Sequence, residues 1–181
     1  MAGRAGVAVG WRRRGAASVK AGRVTLMLTG LTLLVLLLSL PGALRDAFYR
    51  GGIYLLSRAF LDDLPKRLTG PGRFRFVLQP LMATLLGIRS GVADARAGRP
   101  PYLLALVVDQ QRRGQLARDG LATVANLLLM GVLLDSVFQW AILGTSYPGP
   151  ALVVGPVLIA APYAVARALS NRVAGLRRRR D

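Results

Sequence analysis

Residues 120–166 read GLATVANLLLMGVLLDSVFQWAILGTSYPGPALVVGPVLIAAPYAVA, 47 residues with a single charge, Asp135. One pass through a bilayer takes about 20 apolar residues, so this stretch is long enough for two. It breaks at Gly144-Thr145-Ser146-Tyr147-Pro148-Gly149-Pro150, where clustered Gly, Pro and Ser turn the chain and two close prolines resist helix continuation. The prediction is a transmembrane hairpin over 120–169, with helices at roughly 121–143 and 151–169.

Toward the N-terminus, residues 24–44 form a second uncharged run, with LTLLVLLL at 31–38. At ~1.5 Å per residue its 21 residues reach ~30 Å, the thickness of the hydrocarbon core. A cleaved signal peptide carries a shorter apolar stretch, and Pro41-Gly42-Ala43 lacks the small residue expected three before a cut. A retained span is therefore expected at 24–44. Three such regions in 181 residues, 53% of them apolar, leave too little polar surface for a soluble fold.

The segment 45–119 holds 13 Lys and Arg and 6 Asp and reads as basic, helical, and interfacial or cytoplasmic. Phe48, Tyr49, Tyr54 and Phe60 lie among Arg45, Arg50 and Arg58, a mixture suited to the headgroup layer, although Gly51-Gly52 weakens any helix there. After Pro71-Gly72, residues 76–88 are free of charge, Pro80 fits a first turn, and Leu81, Leu85, Ile88, Val92 and Ala95 follow helical spacing. Thirteen residues reach only ~20 Å, so an interfacial or re-entrant helix is expected rather than a full span. Arg99-Pro100-Pro101 then opens a short apolar turn ending at Asp109, with Arg113 one helical turn on. The predicted fold is an all-α helical membrane protein with three transmembrane helices and this fourth, shorter one. A basic tail (1–23) precedes it and an Arg-rich tail (170–181), ending in Arg177-Arg178-Arg179-Arg180, follows it.

The 25 Lys and Arg against 8 acidic residues, a net charge of +17, orient the chain. Six lie before Val24, thirteen in the middle, none in the 144–150 turn and six from Arg167 onward. Because retained loops carry the excess of basic residues, the turn belongs outside and the C-terminus in the cytoplasm. Three spans leave six positive charges on an external N-tail, whereas four give 18 inside and 7 outside. A start at Met27 would also remove the six.

The inventory limits the chemistry. The chain has no His, Cys or Glu, which removes thiol and histidine catalysis, disulfides and zinc sites; no enzyme activity, metal or cofactor is expected. Asp135 is the one charged side chain inside a predicted span, and Gln139 follows one turn on along the same face. The pair suits an ion or proton site or an Arg supplied by a partner subunit; alternatively, a span starting near Leu116 leaves it at the interface beside Trp140. Asn126, on the opposite face, is expected to bond a neighbouring helix. Ala160, Ala164 and Ala168 form a small-residue stripe at four-residue spacing, and Ala151 with Gly155 starts another, both expected as helix contacts. Asp62-Asp63 reads as solvated surface, since Pro65 and Lys66 stand where a metal motif needs further acids. The basic tails, Arg177 to Arg180 above all, are matched to anionic lipid rather than nucleic acid, because no aromatic-lined groove accompanies them.

Two resemblances bear on function. Asp119-Gly120 followed by Gly131 and Asp135 resembles the aspartate motif of membrane CDP-alcohol phosphotransferases. It fails at decisive positions, at Thr123-Val124, where that motif has Ala-Arg, in the short spacing to Gly131, and at Gln139, which stands for its last aspartate, and is set aside. The stretch from Val77-Leu78-Gln79-Pro80-Leu81 through Leu85-Leu86-Gly87-Ile88-Arg89 to Asp94-Ala95-Arg96-Ala97-Gly98-Arg99-Pro100-Pro101-Tyr102 resembles a segment of small, uncharacterised bacterial inner-membrane proteins. That resemblance covers roughly 45–170 and implies a multi-pass inner-membrane location but no activity or ligand. The leading expectation is a non-enzymatic scaffold or accessory subunit contacting anionic lipid and a membrane partner, either a second copy or another protein. The alternative is a small transporter or channel-like protein using Asp135 and Gln139.

Overall fold

The computed structural model describes residues 22–70 and 72–178, without the side chains of Arg50, Arg67 and Arg178. The basic N-tail up to position 21, and Arg179 and Arg180 of the Arg-rich tail, lie outside the described residues. The described residues form six helices, α1 (Arg23–Arg50), α2 (Arg58–Thr69), α3 (Arg75–Arg96), α4 (Tyr102–Val108), α5 (Arg113–Leu143) and α6 (Pro148–Arg178), with a 3-10 turn at Tyr54–Leu56. No strand occurs among the described residues. Four of the helices, α1, α3, α5 and α6, are long and apolar enough to cross a membrane.

The helix ends follow local rules. Gly51 (φ 67°) and Gly144 (φ 70°) stop α1 and α5 in the left-handed conformation, and the Gly144 N–H donates back to the Trp140 carbonyl. The expected hairpin turn at 144–150 is thus a short connection, 144–147, with Pro148 opening α6 in the first-turn position that tolerates proline. Pro156 and Pro162 stand inside α6. Phe48 and Tyr49, expected in an interfacial helix, instead form the exposed end of α1, while Tyr54 is buried in the 3-10 turn.

The fourth helix departs most from expectation. The charge-free run 76–88 is only the first part of α3, whose 22 residues reach ~33 Å. Arg89 is exposed within about two turns of the helix end, near enough for a long basic side chain to reach the interface. The apolar stripe is also reversed: Leu81, Leu85 and Ile88 point outward, while Arg75, Gln79, Ala83, Gly87, Gly91 and Asp94 form the buried face. In water such a helix would be inside out. In lipid it is not, because hydrocarbon solvates leucine as well as a protein core does, leaving close packing and polar pairing to hold the helices together.

α3 packs chiefly along α6, and α6 along α5. Gly87 faces the Tyr163 carbonyl and Gly91 that of Arg167, so α3 and α6 ascend together. α1 runs parallel to α5, since Thr32 reaches the Leu129 carbonyl (3.4 Å) and Asp46 meets Tyr147. The hairpin makes the two pairs antiparallel, so the start of α1, the end of α3, the start of α5 and the end of α6 share one end of the bundle. Ala83, Val124, Ile159 and Tyr163 form the apolar centre where α3, α5 and α6 meet. Gly131 and Gly155 cross there: a Cβ on Gly155 would lie 2.9 Å from the Gly131 carbonyl carbon. α1 touches mainly α5 and leaves nearly all of its length uncovered.

Candidate functional site

The single charged residue of the 120–166 run lies inside a buried polar cluster. Asp135 is 1% exposed on the inner face of α5. Arg75, the first residue of α3, places Nη2 2.7 Å from its Oδ1, both side chains being 2% exposed. Gln139, one turn on, donates from Nε2 to Oδ2 at 2.5 Å, and its Oε1 accepts the Tyr147 backbone N–H at 3.0 Å. One carboxylate thereby ties together α3, α5 and the turn into α6. The cation is supplied by this chain itself, where one reading of the sequence took it from a partner subunit, and both Asp135 and Gln139 are buried.

Aromatic rings wall in the guanidinium. The Arg75 carbon lies 4.9 Å from the Phe76 ring centre and 5.4 Å from that of Phe138, geometry that favours a cation over a π face. Gly72 (φ 81°) lets the chain turn tightly into α3 against Phe138; a side chain there would collide with the ring at 2.5 Å. Beyond Tyr147 the network continues: its hydroxyl donates to Asp46 at the end of α1, and its ring stacks on Tyr54 at 3.9 Å. Tyr54 in turn donates to Asp63 at 2.6 Å, which also pairs with Lys66 at 2.8 Å. Asp63 is therefore engaged in the fold, while Asp62 is exposed as expected of solvated surface.

A second cluster occupies the opposite end. Arg167 of α6 donates from Nε to Asp94 of α3 at 2.6 Å and from Nη1 to the Tyr163 hydroxyl at 3.0 Å. Its guanidinium carbon lies 4.3 Å from the Tyr102 ring centre, and Arg99 approaches the other Asp94 oxygen at 3.3 Å. Tyr102 donates to the Leu116 carbonyl at 3.2 Å, and burial raises its phenol above the ordinary 10.0 against the opposing pull of Arg167. Arg75 and Asp94 stand 19 residues apart on α3, ~29 Å along the axis, close to the thickness of the hydrocarbon core. At Asp109 the partner is Arg112, whereas Arg113 donates to the Leu106 and Val107 carbonyls.

Of the residues singled out from the sequence, Asp135 and Gln139 are brought together. Ala151 and Gly155 lie on the buried face of α6 with Ile159, Tyr163, Arg167 and Asn171. Ala160 and Ala164 are only half-buried, and Ala168 is buried beside Pro101 and Leu104. Asn126 is exposed rather than bonded to a neighbouring helix within the chain. Arg177 is exposed at the last turn of α6. Sequence reading missed Arg75, Gln79, Asp94, Tyr147 and Arg167. The four-residue steps from Arg75 through Gln79, Ala83 and Gly87 to Gly91, polar and small in an otherwise leucine-rich helix, were the available signal.

These features define an all-helical, multi-pass membrane protein whose polar groups converge inward at both ends of the bundle. No family model, curated protein or solved structure matches the chain.

Proposed function

We propose that the protein is a non-catalytic scaffold or accessory component of the bacterial inner membrane. In this reading both termini are cytoplasmic, the basic end meets anionic lipid, and a membrane-protein partner lies along α1. The observation that carries it is the state of α1. A span packed mainly against α5 exposes Leu33, Leu34, Leu37 and Leu38, and contiguous apolar faces mark interaction surfaces or lipid contact. Four crossings support the orientation, since 18 of the 25 basic residues then fall on the side of the termini, where the positive-inside rule puts the cytoplasm. The transport alternative has less support: a cation or proton at Asp135 would have to displace a guanidinium already 2.7 Å away.

The test is a photoreactive amino acid at Leu37, 64% exposed, compared with one at Ile159, 0% exposed, activated in native membranes. A discrete protein adduct from Leu37 and none from Ile159 is expected. Lipid adducts alone from Leu37 would refute the partner reading. For orientation, a reporter fused after Asp181 should read cytoplasm, and a Cys at exposed Leu56 should react with an impermeant reagent from outside.

A further inference from the structure

Between α1, α5 and the turn into α6 lies an open-sided groove of about 480 Å³, lined by Val35, Leu38, Gly42, Ser136, Trp140 and Ser146 among others. Its size falls in the range of small-molecule sites. Two features set it apart from ordinary packing gaps. Among the described residues, no charged side chain lines it. Ser136 and Ser146, 1% and 8% exposed, also have hydroxyls without a hydrogen-bond partner. A serine inside a helix commonly donates to the carbonyl four residues back, as Ser39 on the opposite wall does to Val35 at 2.7 Å. Ser136 does not, and in hydrocarbon no water is at hand to serve instead.

We infer that this groove binds the ester-linked acyl chain of a membrane glycerolipid, with the ester carbonyl accepting from Ser136 and Ser146. The chemistry selects this occupant. Two unsatisfied hydroxyl donors call for a neutral acceptor, and one carbonyl oxygen has two lone pairs. A charged headgroup finds no counter-ion in the groove and stays in the interface. Depth agrees: Ser136 lies seven residues before the end of α5, ~10 Å in, and Trp140, a residue type that favours the headgroup level, stands exposed on the rim. The α1 wall from Gly42 to Val35 runs ~10 Å along the membrane normal, and its one polar side chain, Ser39, is already bonded back to Val35, so the upper part of an acyl chain lies against it. The site does not depend on which partner α1 meets or whether it meets one, so its failure and that of the scaffold reading are distinguishable.

The test uses the full chain in phosphatidylethanolamine/phosphatidylglycerol vesicles doped with a glycerolipid that carries a photoreactive group high in its acyl chain. The probe is prepared in ester-linked and ether-linked forms, the latter lacking the carbonyl. After irradiation, the ester probe is expected on peptides spanning 35–42 and 136–146. The label should fall about tenfold with the ether probe and with the Ser136→Ala/Ser146→Ala double variant, the loss expected for two neutral hydrogen bonds. Gly42→Leu, which fills the groove and keeps both hydroxyls, should abolish it. Equal labelling by the two probes, or labelling as strong at Leu152 and Val157 on the outer face of α6, overturns the inference. The ester-against-ether comparison on the parent chain decides the matter even if the double variant does not fold.

Discussion

Replacing Arg75 or Asp135 singly should damage the protein far more than replacing both. At 2.7 Å and 2% side-chain exposure, the pair is fully withdrawn from solvent. Removing one partner leaves the other charge buried with only residual hydrogen bonding, a loss of ~3–5 kcal/mol, whereas a well-packed apolar pair of similar volume is often neutral or stabilising. Arg75→Leu and Asp135→Leu are each expected to cost ~3–5 kcal/mol, and Arg75→Met with Asp135→Leu to fall within ~1 kcal/mol of the parent. The two single variants should also differ. Asp135→Leu should be the worse, because it strands a guanidinium among apolar and aromatic groups. Gln139 sharpens the contrast, since its Nε2 still donates to Asp135 after Arg75 is lost but offers nothing to Arg75 after Asp135 is lost. The assay is reversible unfolding in mixed micelles, followed by far-UV circular dichroism. Single variants within ~1 kcal/mol of the parent would mean that water reaches the pair; a double variant as damaged as the two losses combined would mean the cluster is not held by mutual charge.

Gly155→Leu should destabilise by ~1–3 kcal/mol in the same assay, because its Cβ meets backbone of Gly131 that cannot rotate away; Gly175→Ala, in open space, should stabilise by up to ~1 kcal/mol. Tyr102, outside the spans, has its phenol raised above 10.0, so the folded state favours the neutral form. That contribution is intact below pH 10.0 and lost as pH climbs through the raised value. Phenolate absorbance, parent minus Tyr102→Phe, should therefore show less than half ionisation at pH 10.0; half or more contradicts the burial argument. A peptide of residues 170–181 with Arg177 to Arg180 changed to Gln should bind anionic vesicles more weakly by about 1 kcal/mol per residue. If the parent peptide binds neutral vesicles equally well, lipid charge is not what the tail reads.

Three spans were legible because α1, α5 and α6 are dominated by uninterrupted apolar sequence, which a bilayer selects by length alone. α3 was only half legible. Counting charge-free residues stops at Arg89, but a span tolerates arginine near its end and a buried Asp94 once a partner neutralises it. The period was legible and its direction was not: the leucine stripe that would face the core in water faces outward here. Asp135 and Gln139 could be picked out because they are polar within an apolar run, whereas Arg75 follows Lys66, Arg67 and Arg73 and looks like one more surface charge. Only its place at the head of the four-residue series of polar and small residues sets it apart. Its role follows from α3 lying where its first turn meets Asp135, which is a property of the assembled bundle.

The placement of these charges runs against the helices that carry them. Arg75 is at the N-terminus of α3, where the macrodipole is positive, and Asp94 is in its last turns, where it is negative. Each such placement costs ~0.3–1 kcal/mol in an isolated helix, so none serves the helix it belongs to. They are offset only when α3 lies between its partners, with its cation against α5 at one end and its anion against α6 at the other. A slip of α3 by one turn, ~5.4 Å, would break both pairs at once and leave four buried charges unmatched. Leucine contacts with lipid cannot supply such a register, since any depth suits them nearly as well. Two ion pairs one membrane thickness apart can, and they make α3, the least apolar of the four long helices, the one whose position is most tightly set.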